Sequence, residues 1–380
     1  MDARSFMTDL LPKMPNFLLA RAGLAKAKAP ITLTYSVTNQ CQSRCKTCNI
    51  WEIYPKKWQS RSTELTLDEL DQVFGSLGHI YFFNISGGEP FLRRDLPEIV
   101  ERAIKHMSPR IIHSPTNALT PKRIETMVVE ICEKMAALDY THVPLTIKPS
   151  YDGIGKDHDF VRGIPGNFEK LMDTIERLKA VSKEYPWLHV EVGTVISNFN
   201  KHKIDEIADF GHSLGVESYR NEIAEQREEF LNVGDPITPS PSEYREIIDL
   251  FSGRIRENLK KKRAYARVTE AFRLVYYQYV VKILEEKRQV LPCYAGITNI
   301  HLNPHGDVWP CCVLGYRKSM GNVRDFDLDV MALLESEQAE SVRRFIAADG
   351  CACPLANQSY SNILMSPVAM AKVARNMFLG

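Results

Sequence analysis

The apolar positions of the first two thirds of the chain switch repeatedly between a period near two and a period near 3.6, which predicts strands alternating with helices. Residues 31–38 are β-branched and aromatic and predict a first strand. Thr66-Leu67-Asp68-Glu69 is a capping box, after which Leu67, Leu70, Val73, Phe74 and Leu77 recur at helical spacing. Residues 80–85 predict the second strand, 96–107 the next helix and 110–114 a third short strand. Thr120-Pro121 opens a helix with proline at its first position. Residues 145–148 predict strand four, followed after a loop by a helix over 167–181. Strand five spans 190–196, a helix 204–214, and strand six 216–220.

Six strand–helix units with short connections imply parallel strands joined by right-handed crossovers. Both a doubly wound sheet and a partial barrel satisfy that pattern. In either, active sites collect at the carboxyl ends of the strands. The distinctive residues fall there. Cys41, Cys45 and Cys48 follow strand one, Ser86-Gly87-Gly88-Glu89-Pro90 strand two and Asn117 strand three. Ser150-Tyr151-Asp152-Gly153 follows strand four, Asn198 strand five and Asn221-Glu222 strand six. A linker rich in proline and serine then runs over 235–241 and leads to two helical stretches, 242–260 and 268–288. The expected organisation is an N-terminal helical strap (1–29), the α/β unit (30–234), linker helices (235–290) and a second cysteine-bearing region (291–380).

Composition narrows the class. A chain of 380 residues with net charge +1 offers no general field for nucleic acid. The run Lys260-Lys261-Lys262-Arg263 reads as a solvated helix face. No apolar stretch approaches the ~20 residues that span a bilayer. Pro12, Pro15 and Asp9 argue against a signal peptide at the N-terminus. Leu10, Leu11, Phe17, Leu18 and Leu19 are expected to strap that segment across the following unit. Nine clustered cysteines in a chain of this length indicate metal ligation in a reducing compartment, the cytoplasm, rather than a disulfide scaffold.

The first cluster, Cys41-x3-Cys45-x2-Cys48, has no fourth ligand nearby, whereas a structural zinc site closes with four. Three thiols in eight residues suit a four-iron cube with one iron left open. Gly87 and Gly88 allow close backbone approach to a ligand. Glu89, held extended by Pro90, offers a carboxylate or backbone carbonyl to a cationic amine. In the C-terminal region, Cys293 is followed by Gly306 and Cys311 as Cys-x12-Gly-x4-Cys. Asn303-Pro304-His305-Gly306 predicts a tight turn between strands 298–302 and 307–309, which would bring Cys293 near Cys311. Cys351 and Cys353 add two thiols; Cys312 competes with Cys311, but the glycine spacing favours Cys311. Cys132, within an apolar helical pattern, reads as a buried structural thiol.

The three-cysteine loop after the first strand, with Gly-Gly-Glu-Pro after the second, resembles the radical S-adenosylmethionine (SAM) superfamily over roughly residues 30–230. The resemblance implies a partial (β/α)6 TIM-like barrel, which decides between the two α/β layouts. It implies that Cys41, Cys45 and Cys48 hold three irons of a [4Fe-4S] cluster, and that S-adenosylmethionine occupies the fourth. Gly87, Gly88, Glu89 and Pro90 would meet its amine, Ser150 and Asp152 its ribose, and Asn117 the same cofactor. Thr47 stands where the superfamily often has an aromatic residue, so Trp51 is assigned beside the adenine. Tyr151-Asp152-Gly153 with His158-Asp159, Arg162-Gly163 and Phe168 looks like the branch carrying extra clusters, with His158, Asp159 and Arg162 fixing the loop after strand four. The C-terminal region resembles the SPASM/Twitch extension, a cysteine-bearing β-hairpin and helical unit. Cys293, Cys311, Cys351 and Cys353 would hold one auxiliary iron–sulfur cluster.

The function so implied is reductive cleavage of S-adenosylmethionine to a 5′-deoxyadenosyl radical that abstracts a substrate hydrogen, in an anaerobic cytoplasm. A flavodoxin or ferredoxin would supply the electron, and the auxiliary cluster would assist oxidation or bind the substrate. A small molecule is the first substrate reading, a peptide the second and a lipid the third. A non-catalytic iron–sulfur or zinc protein is the alternative from another class.

Overall fold

Inside each barrel strand, small or polar residues alternate with large apolar ones, and the computed structural model shows what that alternation builds; it describes residues 6–56, 59–259 and 264–379. Six strands run parallel in chain order: β1 (Thr32–Ser36), β2 (Phe82–Ser86), β3 (Ile111–Thr116), β4 (Leu145–Pro149), β5 (Leu188–Ile196) and β6 (Ser218–Ile223). Helices α1 (Met14–Arg21), α2 (Leu67–Leu77), α3 (Leu96–Met107), α4 (Pro121–Ala137), α5 (Lys156–Arg162), α6 (Asn167–Glu184) and α7 (Ile204–Ser213) precede or connect them. Leu33, Tyr35 and Val37 of the first unit and Phe83 and Ile85 of the second pack outward under these helices with Val73, Phe74 and Ile99. The ring of Phe74 meets Tyr35 and Phe83 edge-on, with centroids at 6.0 and 5.8 Å. Thr34, Asn84, His113, Lys148 and Glu222 face the barrel interior, which therefore stays hollow and polar.

The strand boundaries move by a few residues from the sequence reading. One shift changes a placement: β6 continues to Ile223, so Asn221 and Glu222 lie within the strand and not beyond its end. The helix α5 occupies what reads as loop, because Gly155 and Gly163, both at positive φ, bracket a single polar two-turn segment too short for a periodicity signal.

The C-terminal hairpin, β7 (Asn299–Leu302) and β8 (Asp307–Trp309), is not an appended layer. It pairs β7 parallel to the free edge of β1, with Thr34 opposite His301. With β9 (Gly321–Asn322) the result is one nine-stranded sheet in the order β6-β5-β4-β3-β2-β1-β7-β8-β9. Capturing β1 this way satisfies an edge that an open barrel would leave exposed. The mostly parallel, unclosed sheet with outer helices is the partial TIM-like α/β fold expected from the sequence.

The helices α8 (Pro241–Leu259), α9 (Ala264–Glu286), α10 (Val330–Leu334), α11 (Glu337–Ala347), α12 (Ala356–Leu364) and α13 (Pro367–Leu379) complete the chain. Tyr244, Tyr276 and Tyr277 from α8 and α9 cover β6 at Tyr219 and Ile223. Helix α1 buries Phe17 and Ala20 against Ile31, Tyr81 and Tyr294, while Leu18 and Leu19 point to solvent. The predicted capping box forms: Thr66 caps the Glu69 amide and Glu69 the Thr66 amide. Arg324 grips the same Glu69 carboxylate and ties the C-terminal region to the barrel. The Lys260–Arg263 run lies outside the described residues. Among the described residues no helix is long and apolar enough to cross a membrane.

Truncating Phe74 to alanine removes the ring that joins β1 and β2 to α2. It is expected to cost about 3–5 kcal/mol in a denaturant titration. Leu18→Ala, at a side chain 49% exposed, is expected to stay within about 0.5 kcal/mol of the parent.

Candidate functional site

A cavity of about 310 Å³ opens at the carboxyl ends of the barrel strands. Its wall includes Cys41, Cys45 and Cys48 on one side, Gly87, Gly88, Glu89 and Pro90 beside them, and Asn117, Ser150 and Glu222 further round. Cys311 and Cys312 line it as well.

The cysteine loop is shaped by what it docks on. The amides of Arg44 and Lys46 donate to the carbonyls of Arg162 and Val161 at the end of α5, at 3.2 and 2.9 Å. Gly163 sits under this contact; a Cβ there would lie 2.0 Å from the Arg44 carbonyl oxygen. The Cys48 amide donates to the Cys45 carbonyl at 3.2 Å, which turns the chain between the last two thiols. Asn117 Nδ2 reaches Cys41 Sγ at 3.7 Å.

The glycines after β2 serve the same docking. Gly88 N donates to Thr38 O and Glu89 N to Gln40 O, each at 2.8 Å. A Cβ on Gly87 or Gly88 would lie 2.3 Å from the Thr38 or the Gln40 carbonyl oxygen. Their close backbone approach is therefore made first to the cysteine loop, not kept entirely for a ligand. The Glu89 carboxylate is also engaged. It accepts from Asn117 N at 2.7 Å, Thr116 Oγ1 at 2.8 Å and Phe91 N at 3.3 Å, fixing the β3 end to the β2 turn. Burial pushes its carboxyl up to about 7 against the lowering pull of those three donors.

Two assigned residues lie off the cavity wall. Trp51 belongs to a separate hollow with Cys41, Tyr54 and Gln59, and its ring lies under the Arg44 guanidinium at 4.3 Å. The short turn 50–52 carries it to the outer side of the cysteine loop. Asp152 is buried behind the wall, paired with Arg162 at 3.1 Å and accepting from Val195 N at 2.8 Å. It positions Arg162, which does line the cavity. His158 receives the Asp152 amide on Nδ1 and meets Asn167 Oδ1 at 3.1 Å; burial lowers its pKa to about 4. Asp159 accepts from the Gly166 and Phe168 amides. Both side chains fasten the loop after β4. Arg220 and Glu222 do not pair with each other: Arg220 meets Glu191 at 3.5 Å and Glu222 meets Lys148 at 3.6 Å.

Four-thiolate chemistry is available in the C-terminal region. Beyond burial, which comes first, Cys293 and Cys351 help push the Cys311 thiol up, and Cys311 and Cys293 do the same to Cys353. Cys312 instead faces Arg227 and Glu229. Cys132 is fully buried among apolar side chains. Burial, then the neighbouring Cys45 and Glu89, pushes the Cys41 thiol up to about 12. Such thiols become ligands only where a metal's charge removes the proton. A lone tetrahedral zinc with ~2.3 Å bonds would draw its sulfurs to about 3.8 Å apart. Among the described residues, the group with three metal-binding atoms within 4.8 Å of one another is Glu229, His301 and Cys312, and neither cysteine set is that tight. The donor type and the wide spacing fit an iron–sulfur cluster in both sets.

Periodicity and motif reading passed over His301, Glu229 and Arg227. His301 sits inside a predicted strand, and Glu229 and Arg227 sit in the run between β6 and the linker, so nothing local marks them. The alternation of β7 with β1 is the signal that places His301 inward.

Residues 35–211 match the sequence model of the radical SAM superfamily, and residues 293–354 that of an iron–sulfur cluster-binding domain, SPASM. The chain is similar to mycofactocin maturase MftC of Mycolicibacterium smegmatis, with 25% identity over 224 residues, covering 58% of this chain and 51% of that protein. It spans about half the length of that relative. An AdoMet-dependent heme synthase of Methanosarcina barkeri is 26% identical over 327 residues, covering 80% of this chain and 82% of that one. The fold is similar to that of Streptococcus suis SuiB bound to precursor peptide SuiA, with a TM-score of 0.57 at 13% identity over 87% of this chain and 69% of that one.

Gly88→Ala is expected to push the β2 turn off the cysteine loop, because the added Cβ meets backbone and not a mobile side chain. Thermal unfolding should show a clear loss of stability. Gly253→Ala, in the interior of α8 with nothing within 4 Å, should be neutral or stabilising by up to about 1 kcal/mol.

Proposed function

The chain belongs to the radical SAM superfamily and carries an iron–sulfur SPASM domain, and on that premise we propose that it oxidises or rearranges a polar small molecule at an unactivated C–H bond. The observation that carries this reading is the shared cavity: the N-terminal thiols and Cys311 of the C-terminal set line the same hollow.

Cys41, Cys45 and Cys48 would hold the [4Fe-4S] cluster, with the Gly87–Pro90 turn and Ser150 beside the S-adenosylmethionine. Cys293, Cys311, Cys351 and Cys353 would hold an auxiliary cluster. When bound, these groups supply a 5′-deoxyadenosyl radical able to take a hydrogen atom, and a nearby acceptor for the electron left on the substrate. The chain's part is to exclude water and fix the substrate's C–H bond within reach. Its polar inner wall suits a substrate with several hydrogen-bonding groups. Arg227 Nε and Gln358 Oε1, on residues of that wall, have no hydrogen-bond partner. His113 is kept neutral, its pKa lowered to about 3 by burial and then by Lys148, so it donates or accepts without bringing charge.

The small-molecule reading is supported by a likeness to the M. barkeri heme synthase that runs over about four fifths of both chains. Peptide maturation is the second reading. It is favoured by the names of MftC, a maturase, and of SuiB, whose solved complex holds a precursor peptide. We place the reaction in a reducing, low-oxygen cytoplasm with a flavodoxin or ferredoxin as electron donor.

Anaerobically reconstituted protein given S-adenosylmethionine and dithionite is expected to release 5′-deoxyadenosine. Cys45→Ala should abolish release and Cys132→Ala should retain it. No release from the iron-loaded parent would replace this reading by that of an electron carrier or scaffold. The Glu89 carboxyl adds a pH test. Its ionised form favours a bound cation, and that form grows as pH rises through about 7. S-adenosylmethionine binding should therefore tighten across that range. Glu89→Gln should weaken it roughly tenfold and flatten the pH dependence, measured by equilibrium dialysis.

A further inference from the structure

On the C-terminal side of the cavity, three side chains outside the two cysteine sets converge. Glu229, His301 and Cys312 bring one ligand atom each within 4.8 Å of one another. They are 2%, 3% and 7% exposed, and all three line the cavity. Their positions come from separate elements. His301 is carried by β7 and faces inward by its pairing with Thr34. Cys312 follows β8, and its carbonyl accepts the Glu229 amide at 3.3 Å, which pins the segment after β6 against the hairpin.

We propose that Glu229, His301 and Cys312 form a single-ion site for a divalent transition metal such as zinc, separate from both cluster-binding cysteine sets. The donor set of carboxylate, imidazole and thiolate is that of zinc sites. Tetrahedral bonds of ~2.0–2.3 Å put neighbouring ligand atoms roughly 3.3–3.7 Å apart. Glu229 Oε1 and His301 Nε2 are already 3.3 Å apart. Ser36 Oγ, at 2.7 Å from both, holds the pair in register. The indole of Trp309 packs on the imidazole with ring centroids at 5.1 Å and keeps bulk water from that side.

Charge balance accommodates the assignment. Glu225 pairs with Arg227 at 3.1 Å, and Arg227 lies against Cys312. A doubly charged ion and Arg227 together balance Glu225, Glu229 and a Cys312 thiolate. Without the ion, Glu229 has His301 at 3.3 Å and the Ser36 hydroxyl as partners, and the ion's added charge is what would offset a Cys312 thiolate. Adjacent Cys311 and Cys312 thereby divide the work: Cys311 faces Cys293 and Cys351, and Cys312 faces Arg227 and Glu229.

Three protein ligands leave one coordination position open, and all three residues line the cavity. The site would take a carboxylate, hydroxyl or amine of the substrate and anchor it in the cavity that the N-terminal thiols also line.

The test uses full-length protein reconstituted anaerobically with iron and sulfide. It is titrated with zinc against a chromophoric chelator, with iron, sulfide and zinc counted in each sample. The expected result is one zinc per chain in the parent, with affinity at least tenfold weaker in Cys312→Ser, in His301→Ala and in Glu229→Gln, and iron and sulfide unchanged. Circular dichroism separates a folded variant from a collapsed one, and the three independent variants guard against any one failing to fold. Absence of chelator-resistant zinc in the parent overturns the proposal. So does equal zinc uptake by parent and folded variants, and so does loss of iron and sulfide in Cys312→Ser, which would make Cys312 a cluster ligand. None of these outcomes depends on release of 5′-deoxyadenosine.

Discussion

The cysteine loop has no regular structure of its own, and its shape rests on hydrogen bonds to its surroundings: the segment after β6 holds its end at Thr47 and Asn49, and two further backbone contacts depend on glycine. The turn after β2 donates to the carbonyls of Thr38 and Gln40, and the loop's own amides at Arg44 and Lys46 donate to the end of α5. Both contacts exist because glycine leaves no Cβ in the way, at Gly87 and Gly88 on one side and Gly163 on the other. A loop held only by side chains would sample many arrangements of its thiols, at roughly 1–2 kcal/mol of backbone entropy per residue to be recovered on metal binding. Pinned by its main chain, it presents Cys41, Cys45 and Cys48 nearly pre-arranged.

The same economy governs the buried charges behind it. Arg93 donates to the carbonyls of Val37 and Leu65 and pairs with Asp95. Arg162 pairs with Asp152, whose other oxygen takes the Val195 amide. Each joins the carboxyl end of one strand to the next. Buried ion pairs add little net stability, but removing one partner leaves an uncompensated charge and costs several kcal/mol. Their effect is to make the strand ends one rigid rim, on which a site assembled from several loops keeps its geometry.

Much of the fold was legible because the strands carry two messages at once. Thr32-Leu33-Thr34-Tyr35-Ser36 alternates, and the large residues mark the helix-packed side. The alternation also implies a polar interior, the property that leaves a cavity in place of a filled barrel core. The cysteine motifs and the capping box were local and therefore readable. That Asp152 and Trp51 lie off the lining of the cavity was not legible from motif position, since it depends on partners such as Arg162 and Arg44 that only the fold brings to them. Glu229 and His301 were invisible for the same reason: 72 residues of sequence separate them, and only the parallel pairing of β7 with β1 makes them neighbours.

That pairing also sets the relation between the two cysteine regions. Because Thr34 lies opposite His301, the end of β7 is level with the end of β1, where the N-terminal cysteine loop begins. The tight turn at Asn303–Gly306 then returns the chain along β8, and the Asn303 side chain holds it by accepting the amides of His305 and Asp307. Cys311 and Cys312 emerge two and three residues beyond Trp309, in the lining of the cavity that the N-terminal thiols share. A shift of β7 by one residue would turn His301 outward into the apolar layer, since strand side chains alternate. Burial of Ile300 and Leu302 on one face and the hydrogen bond of His301 to Ser36 on the other both resist that slip. The place of His301 in the cavity is thus fixed by strand register, the property of a sheet least tolerant of small change.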